Sequence, residues 1–587
     1  MTPSLRDQLI YEPVPLAFGT SGRRGLVVNL TQLEIIINAV AELQYLQSLP
    51  PGEGGIRPGD EFFYACDLRP SSTGFVPEEK GRGELAQAIE AAIREAGMRP
   101  VFLGGIPTPA LACHALERGR GSIMVTGSHI PFDRNGYKTN SARGELLKKD
   151  EAPIQLRVER VRNEVYARPF AASPFDERGM FKDGQRPLPL ATDAVAGYLE
   201  RYTAFFQGGR LKGRRLLVYQ HSAVGRDLLA EVLRRLGAEV ICAGRSETFV
   251  PIDTENIGVP ELAAIQELAA TAWRTYGPLD AVISTDGDSD RPLLLGVEPA
   301  SGAAPCQVRF YGGDLLGIIT ARFLGADAVV VPISCNDAVD RGELQSVVEP
   351  KTRIGSPFVI AGMETALAKG RRVVCGWEAN GGFLTGSAIQ RGTAVLSPLP
   401  TRDAFLPLLC VLFAAAGHSL ASLFNRLPAR FSRAALLKNF PRPASRRIIQ
   451  AFSPADPTVC EVRVVGETIG LQDAAGRKLE SGARTEAATR RILGDLAGFF
   501  PRSQGFGAIC GLNYVDGVRV NFDNGDVAHF RPSGNADELR IYAVADTRER
   551  AEAIAAMGVA EPGGILRQLE SATTPRGGVG STTSKTS

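Results

Sequence analysis

The sequence predicts an α/β protein: three successive α/β units followed by a smaller α+β unit. Three observations carry that prediction. Apolar runs of strand length alternate with stretches of helical period through most of the chain, the pattern of mixed or parallel sheets covered by helices. Three of the strand-like runs stop abruptly in loops dense in glycine, hydroxyl and charge. After about residue 429 the pattern changes to short strands, with a hairpin turn at Asp523-Asn524-Gly525-Asp526.

Phe18-Gly19-Thr20-Ser21-Gly22-Arg23-Arg24-Gly25 comes first, small residues with two arginines that suit an anion. Residues 84–97 put Leu85, Ile89, Ala92, Ile93 and Ala96 on one helical face, and 101–103 follow as a strand. A helix from Pro109 leads into the strand 122–125. That strand feeds Thr126-Gly127-Ser128-His129-Ile130-Pro131, a rigid loop that displays the Ser128 hydroxyl ahead of Asn135-Gly136-Tyr137-Lys138. Ligands of such sheets sit outside the carboxyl ends of strands, where Ser128 falls. A helix marked by Ile154, Val158, Val161 and Val165 ends this unit at about residue 168, and the Pro-, Gly- and charge-rich stretch 168–189 reads as a linker.

The second unit, 190–305, reads as strands at 216–219, 240–242 and 280–284 with helices at 228–236 and 262–273. Its last strand ends in Thr285-Asp286-Gly287-Asp288-Ser289-Asp290-Arg291. Three carboxylates at alternate positions can converge on one hard cation, and an oxygen set suits Mg²⁺. An EF-hand loop requires Gly sixth and Glu twelfth, where this chain has Arg291 and Val297, so the loop is not an EF-hand and Mg²⁺ is favoured over calcium. The third unit, 306–428, has a helix through 315–323, a strand at 328–332, a helix after Gly355-Ser356-Pro357 and a strand at 372–375. Then comes Gly376-Trp377-Glu378-Ala379-Asn380-Gly381-Gly382, whose carboxylate and amide suit adjacent sugar hydroxyls. The fourth unit, 429–550, carries Arg531-Pro532-Ser533-Gly534-Asn535 and, further on, Arg540, donors able to enclose a phosphate. Residues 551–587 read as a tail, disordered at least from 571.

With 587 residues, 44% hydrophobic, the chain is long enough for several cores, and its net charge of +2 without charge blocks excludes nucleic acid or a membrane surface as partner. The apolar run 404–417 is too short to span a bilayer and reads as a buried helix. Nine scattered cysteines without a C-x-x-C pair and an N-terminus without a signal peptide point to reduced thiols, no structural zinc and a cytoplasmic location.

Taken in order, F-G-T-S-G-x-R-G, T-x-S-H-x-P-x-x-x-N-G-x-K, D-G-D-x-D-R, G-x-E-x-x-G-G and R-x-S-G-x-x-x-x-x-R-x-Y resemble the α-D-phosphohexomutase superfamily over nearly the whole chain to about residue 550. Within it the sequence is most similar to bacterial phosphomannomutases, particularly through Phe249-Val250-Pro251-Ile252-Asp253-Thr254 and the Glu378 loop. The resemblance implies four domains around a central cleft. It further implies a phosphoserine at Ser128, Mg²⁺ held by Asp286, Asp288, Asp290 and the serine phosphate, and transfer served by Arg24, His129 and Lys138. Glu378, with Asn380 and Arg291, would contact the sugar; Arg531, Ser533, Gly534, Asn535 and Arg540 would grip the non-reacting phosphate. The implied activity interconverts mannose 6-phosphate and mannose 1-phosphate, with a hexose 1,6-bisphosphate as intermediate and activator. The competing readings are a phosphoglucomutase or an enzyme for both sugars, a phosphoglucosamine mutase, and a metal-dependent sugar phosphatase. Three departures from the family pattern, Ile130, Asn380 and Asn535-Ala536-Asp537, bear on sugar preference.

Overall fold

The structure, a computed structural model, describes residues 3–191, 194–207, 211–255, 257–300, 304–480, 482–534 and 537–574. Two units result, Met1–Pro428 and Ala429–Ser587.

The first unit is built on three mixed sheets with one recurring plan. In the first, Glu61–Cys66 pairs in parallel with Arg99–Gly105 and Ser122–Val125, and Arg134–Ser141 then runs antiparallel to Ser122–Val125. In the second, Arg215–His221 lies parallel between Glu239–Arg245 and Ala281–Thr285, and Pro292–Pro299 turns back antiparallel. In the third, Ala328–Val330 is parallel to Val374–Trp377, and Phe383–Thr385 turns back. The Ser128, Asp286–Asp290 and Glu378 loops each occupy the connection from a parallel strand to its antiparallel neighbour. A parallel strand has no short return to its neighbour, whereas an antiparallel one does, so the chemistry sits in tight turns at strand ends.

Alternation along the strands feeds two faces. Phe62, Tyr64 and Cys66 pack with the helices Gln32–Ser48, Leu85–Glu95 and Lys148–Tyr166. Phe63 and Ala65, Leu216 and Val218, and Val329 and Cys375 join one core shared by all three sheets, together with the helix Phe405–Ala414. That helix is the apolar run expected to be buried. No helix among the described residues is long and apolar enough to cross a membrane.

Arg23 is part of this framework. Its Nε donates to Glu42 Oε1 at 2.5 Å with both side chains almost fully buried, and Thr139 Oγ1 donates to Glu42 Oε2 at 2.6 Å. Removing one member strands a buried charge, so Arg23→Ala is expected to cost about 3–5 kcal/mol, read as a lowered denaturation midpoint; an unchanged midpoint would contradict the assignment.

The second unit is an eight-stranded antiparallel sheet in the order Phe431–Lys438, Glu538–Ala545, Val527–Pro532, Val518–Phe522, Ile509–Asn513, Glu461–Val465, Thr468–Gln472, Lys478–Leu479. The predicted hairpin turn joins Val518–Phe522 to Val527–Pro532.

Two expectations need correction. The linker read at 168–189 packs onto the first unit: Phe175 is buried in its core and stacks on Phe181. The tail read from 551 is instead two helices, Arg548–Val559 and Ile565–Thr573, whose Ile554, Ala555, Ile565, Leu566 and Leu569 enter the second core; residues 575–587 lie outside the described residues. Asn135-Gly136-Tyr137-Lys138, which follows the Ser128 loop, is strand, paired with both Arg23–Leu26 and Ser122–Val125.

Candidate active site

Ser128 sits in the left-handed region, φ 55°, fully buried. A non-glycine residue there costs of order 1–3 kcal/mol and persists only when its surroundings hold it. Thr126 Oγ1 accepts from Ser128 N at 2.7 Å, and Asp67 Oδ2 accepts from Thr126 Oγ1 and Gly127 N. Arg69 donates to the carbonyls of Ser128, Ile130, Pro131 and Arg134, and its guanidinium stacks 3.9 Å over Phe249. The loop is thus clamped from within the first sheet and capped by a side chain of the second.

Ser128 Oγ donates to Asp286 Oδ2 at 2.5 Å, which joins the serine loop to the acidic loop. A Cβ on Gly287 would come within 2.7 Å of the Ser128 carbonyl, so only glycine permits this approach. Asp286, Asp288 and Asp290 are all fully buried, and one carboxylate oxygen from each lies within 4.8 Å of the others. Lys138 Nζ donates to Asp288 Oδ2 and Asp290 Oδ2, both at 2.7 Å, and Thr108 Oγ1 donates to Asp288 Oδ2 at 2.7 Å. Asp288 Oδ1 and Asp290 Oδ1 are left buried without a hydrogen-bond donor. Two orphaned oxygens in an all-oxygen cluster fit a hard divalent cation.

The charges interlock. Burial and the neighbouring Asp288 and Asp290 push the Asp286 carboxyl well above its usual value. Burial also acts to raise Asp288, but Lys138 and the Thr108 hydroxyl hold it below the carboxylate range. Arg24 is brought down to about 10 by burial and by Arg291, and it faces Asp288, Asp290 and Arg402 as well. His129, half-buried with Nδ1 3.5 Å from Ser128 Oγ, is held well below its usual value by burial, then by Arg291 and Arg24, and is neutral at pH 7. Arg291 Nε lies 3.6 Å from Asp290 Oδ1.

In the third loop, Glu378 is buried, and its Oε2 accepts from Arg402 Nη1 at 2.9 Å. Asn380 is turned inward on its own loop: Oδ1 accepts from Gly382 N, and its carbonyl accepts from Thr254 Oγ1. The structure therefore brings Ser128, His129, Arg24, Lys138, the three aspartates and Arg291 into one charged cluster, and Arg402 links Glu378 to it.

In the second unit, Arg531 and Arg540 are register partners on adjacent strands, and buried Ser533 follows at the strand end. Arg531 Nε donates to Asp516 Oδ1 at 3.3 Å, Arg540 Nη2 donates to Glu538 Oε2 at 2.9 Å, and Gly534 is exposed. Asn535 lies outside the described residues.

Sequence reasoning missed Arg402, Arg69, Asp67 and Thr108. Asp67-Leu68-Arg69 had a usable signal, since an acid and an arginine follow directly on the apolar strand Glu61–Cys66. Arg402 had none: it lies inside Leu399–Asp403, without glycine or a loop.

Comparison with known proteins identifies the family. The family description "Phosphoglucomutase/phosphomannomutase, alpha/beta/alpha domain I" matches residues 79–164. A phosphomannomutase of Sinorhizobium fredii is 35% identical over 547 residues, covering 92% of this chain and 98% of that protein. One of Salmonella muenchen is 35% identical over 541 residues, covering 91% and 93%. Among solved structures, a putative phosphomannomutase from Thermus thermophilus shares the fold with a TM-score of 0.59 at 20% identity, over 92% of this chain and 98% of that one. The chain belongs to the phosphoglucomutase/phosphomannomutase superfamily. It is therefore an enzyme of the phosphohexomutase type, an isomerase acting on hexose phosphates.

Proposed function

We propose that this enzyme is a phosphomannomutase that interconverts mannose 6-phosphate and mannose 1-phosphate through a phosphoserine at Ser128. The observation that carries the reading is the Ser128 Oγ to Asp286 contact of 2.5 Å inside a buried cluster of matched charge; similarity to two phosphomannomutases over more than nine-tenths of the chain supports the sugar. The phosphoryl group leaves Ser128 Oγ and bonds to a sugar hydroxyl, giving a hexose 1,6-bisphosphate that turns over and returns its other phosphate to the serine. Lys138, Arg24 and Arg291 offset the charge on the moving group. The neutral imidazole of His129 has one nitrogen free to accept the hydroxyl proton. Asp286, Asp288, Asp290 and the serine phosphate would hold Mg²⁺, which when bound would neutralise phosphoryl charge. Arg531, Ser533, Gly534, Asn535 and Arg540 grip the non-reacting phosphate, and a hexose 1,6-bisphosphate restores the phosphoserine when it is lost.

Conversion of glucose phosphates by the same site is the second reading, favoured by Asn380. Its oxygen already accepts from Gly382 N at 3.0 Å, which turns the side chain onto its own loop. A single poorly sensed hydroxyl is worth about 1–3 kcal/mol, so mannose and glucose phosphates are expected to differ in kcat/KM by roughly a hundredfold at most. Asn380→Ser should change both together. Coupled assays on each sugar test this: discrimination above roughly ten-thousandfold, or a swap that alters one sugar only, would show that the loop selects at carbon 2.

A further inference from the structure

Arg402 is 2% exposed and divides its guanidinium between two loops. Nη1 donates to Glu378 Oε2 at 2.9 Å, while Nε and Nη2 both lie 3.0 Å from Asp290 Oδ2. Its aliphatic stem fills the space where Gly382 has no Cβ; a Cβ there would lie 2.5–2.9 Å from Cδ, Cγ and Cβ of Arg402. On the acidic side Arg402 and Lys138 both bind Asp290 Oδ2, and Oδ1 is the oxygen left without a donor.

We propose that Arg402 is a positioning residue that fixes the sugar loop and the acidic loop with one planar fork, so that Asp290 offers Oδ1 to the cation and Glu378 is aimed at the sugar. This rests on the roles given to those two loops above. A guanidinium can serve two carboxylates in fixed directions, whereas a lysine ammonium is a single point charge. Groups that orient ligands and substrate contacts set affinity from outside the reacting atoms.

The test uses full-length enzyme with Arg402→Lys, Arg402→Gln and Gly382→Ala. KM for hexose phosphate is measured at saturating Mg²⁺, and Mg²⁺ affinity is measured separately by calorimetry without substrate. Arg402→Lys keeps the buried charge and is expected to fold, yet to weaken both KM and Mg²⁺ affinity about tenfold or more. Gly382→Ala, which removes no charged group, should move both constants in the same direction by displacing the Arg402 stem. Should Arg402→Gln fail to fold, the other two variants decide. Constants unchanged in both variants, a shift in only one of the two constants, or a fall in kcat alone would overturn the proposal. Wild-type enzyme inactive on hexose phosphates would sink the functional reading instead; the Mg²⁺ titration still reads Arg402, and unchanged affinity in Arg402→Lys would overturn this inference independently.

Discussion

Replacing Ser128 with alanine is expected to leave a folded protein whose mutase turnover falls by roughly four orders of magnitude or more, the scale seen when a nucleophile that forms the covalent intermediate is removed. The fold should survive because the loop is held by main-chain contacts to Arg69 and by Thr126 and Asp67, none of which uses the Ser128 hydroxyl. The variant loses the bond to Asp286, whose carboxyl is already raised by burial and like charge and can be held protonated. Steady-state rates with a hexose 1,6-bisphosphate supplied are the check. Near-normal turnover would remove Ser128 from the reaction and leave the buried cluster without a phosphate carrier.

The second large effect is that of the cation. Activity is expected to vanish with a chelator and to return with Mg²⁺, because Asp288 Oδ1 and Asp290 Oδ1 are buried oxygens without donors and, among the described residues, no soft ligand joins them in the cluster. Asp288→Asn should lower turnover by at least about a hundredfold, the order found when one group that stabilises transition-state charge is removed. It also leaves Lys138 with one carboxylate partner in place of two. Recovery with Zn²⁺ but never with Mg²⁺ would count against the oxygen-only site.

The three loops were legible in the sequence because each breaks a strand-like run with glycine, hydroxyl and charge, and turns of that composition announce themselves locally. The repeated plan of parallel strand, loop and antiparallel return was only half legible. Asn135-Gly136 carries a turn signal, yet pairing on both sides draws it into a strand. Arg402 and Arg69 are harder to find as site residues for a different reason. Their roles come from carboxylates and carbonyls far away in the chain; Arg402, buried inside an ordinary strand, carries no local mark, and Arg69 is marked only by its place beside Asp67 after the strand Glu61–Cys66. Residues 551–574 were misread because Glu561-Pro562-Gly563-Gly564 looks like the start of a tail, while the apolar face after it, Ile565, Leu566 and Leu569, spans little more than one turn. The proline and glycine content of segment 168–189 suggests a linker, but Phe175, with Phe170, Phe181 and Leu188 beside it, supplies the apolar surface that seats it on the first core.

The most direct test of the phosphoserine is mass spectrometry of the intact enzyme with peptide mapping after incubation with glucose 1,6-bisphosphate. One phosphate is expected on the peptide that contains Ser128, lost on addition of excess hexose monophosphate and absent from Ser128→Ala. A phosphate on any other residue, or an enzyme that turns over hexose phosphates while the Ser128 peptide is never modified, would contradict it.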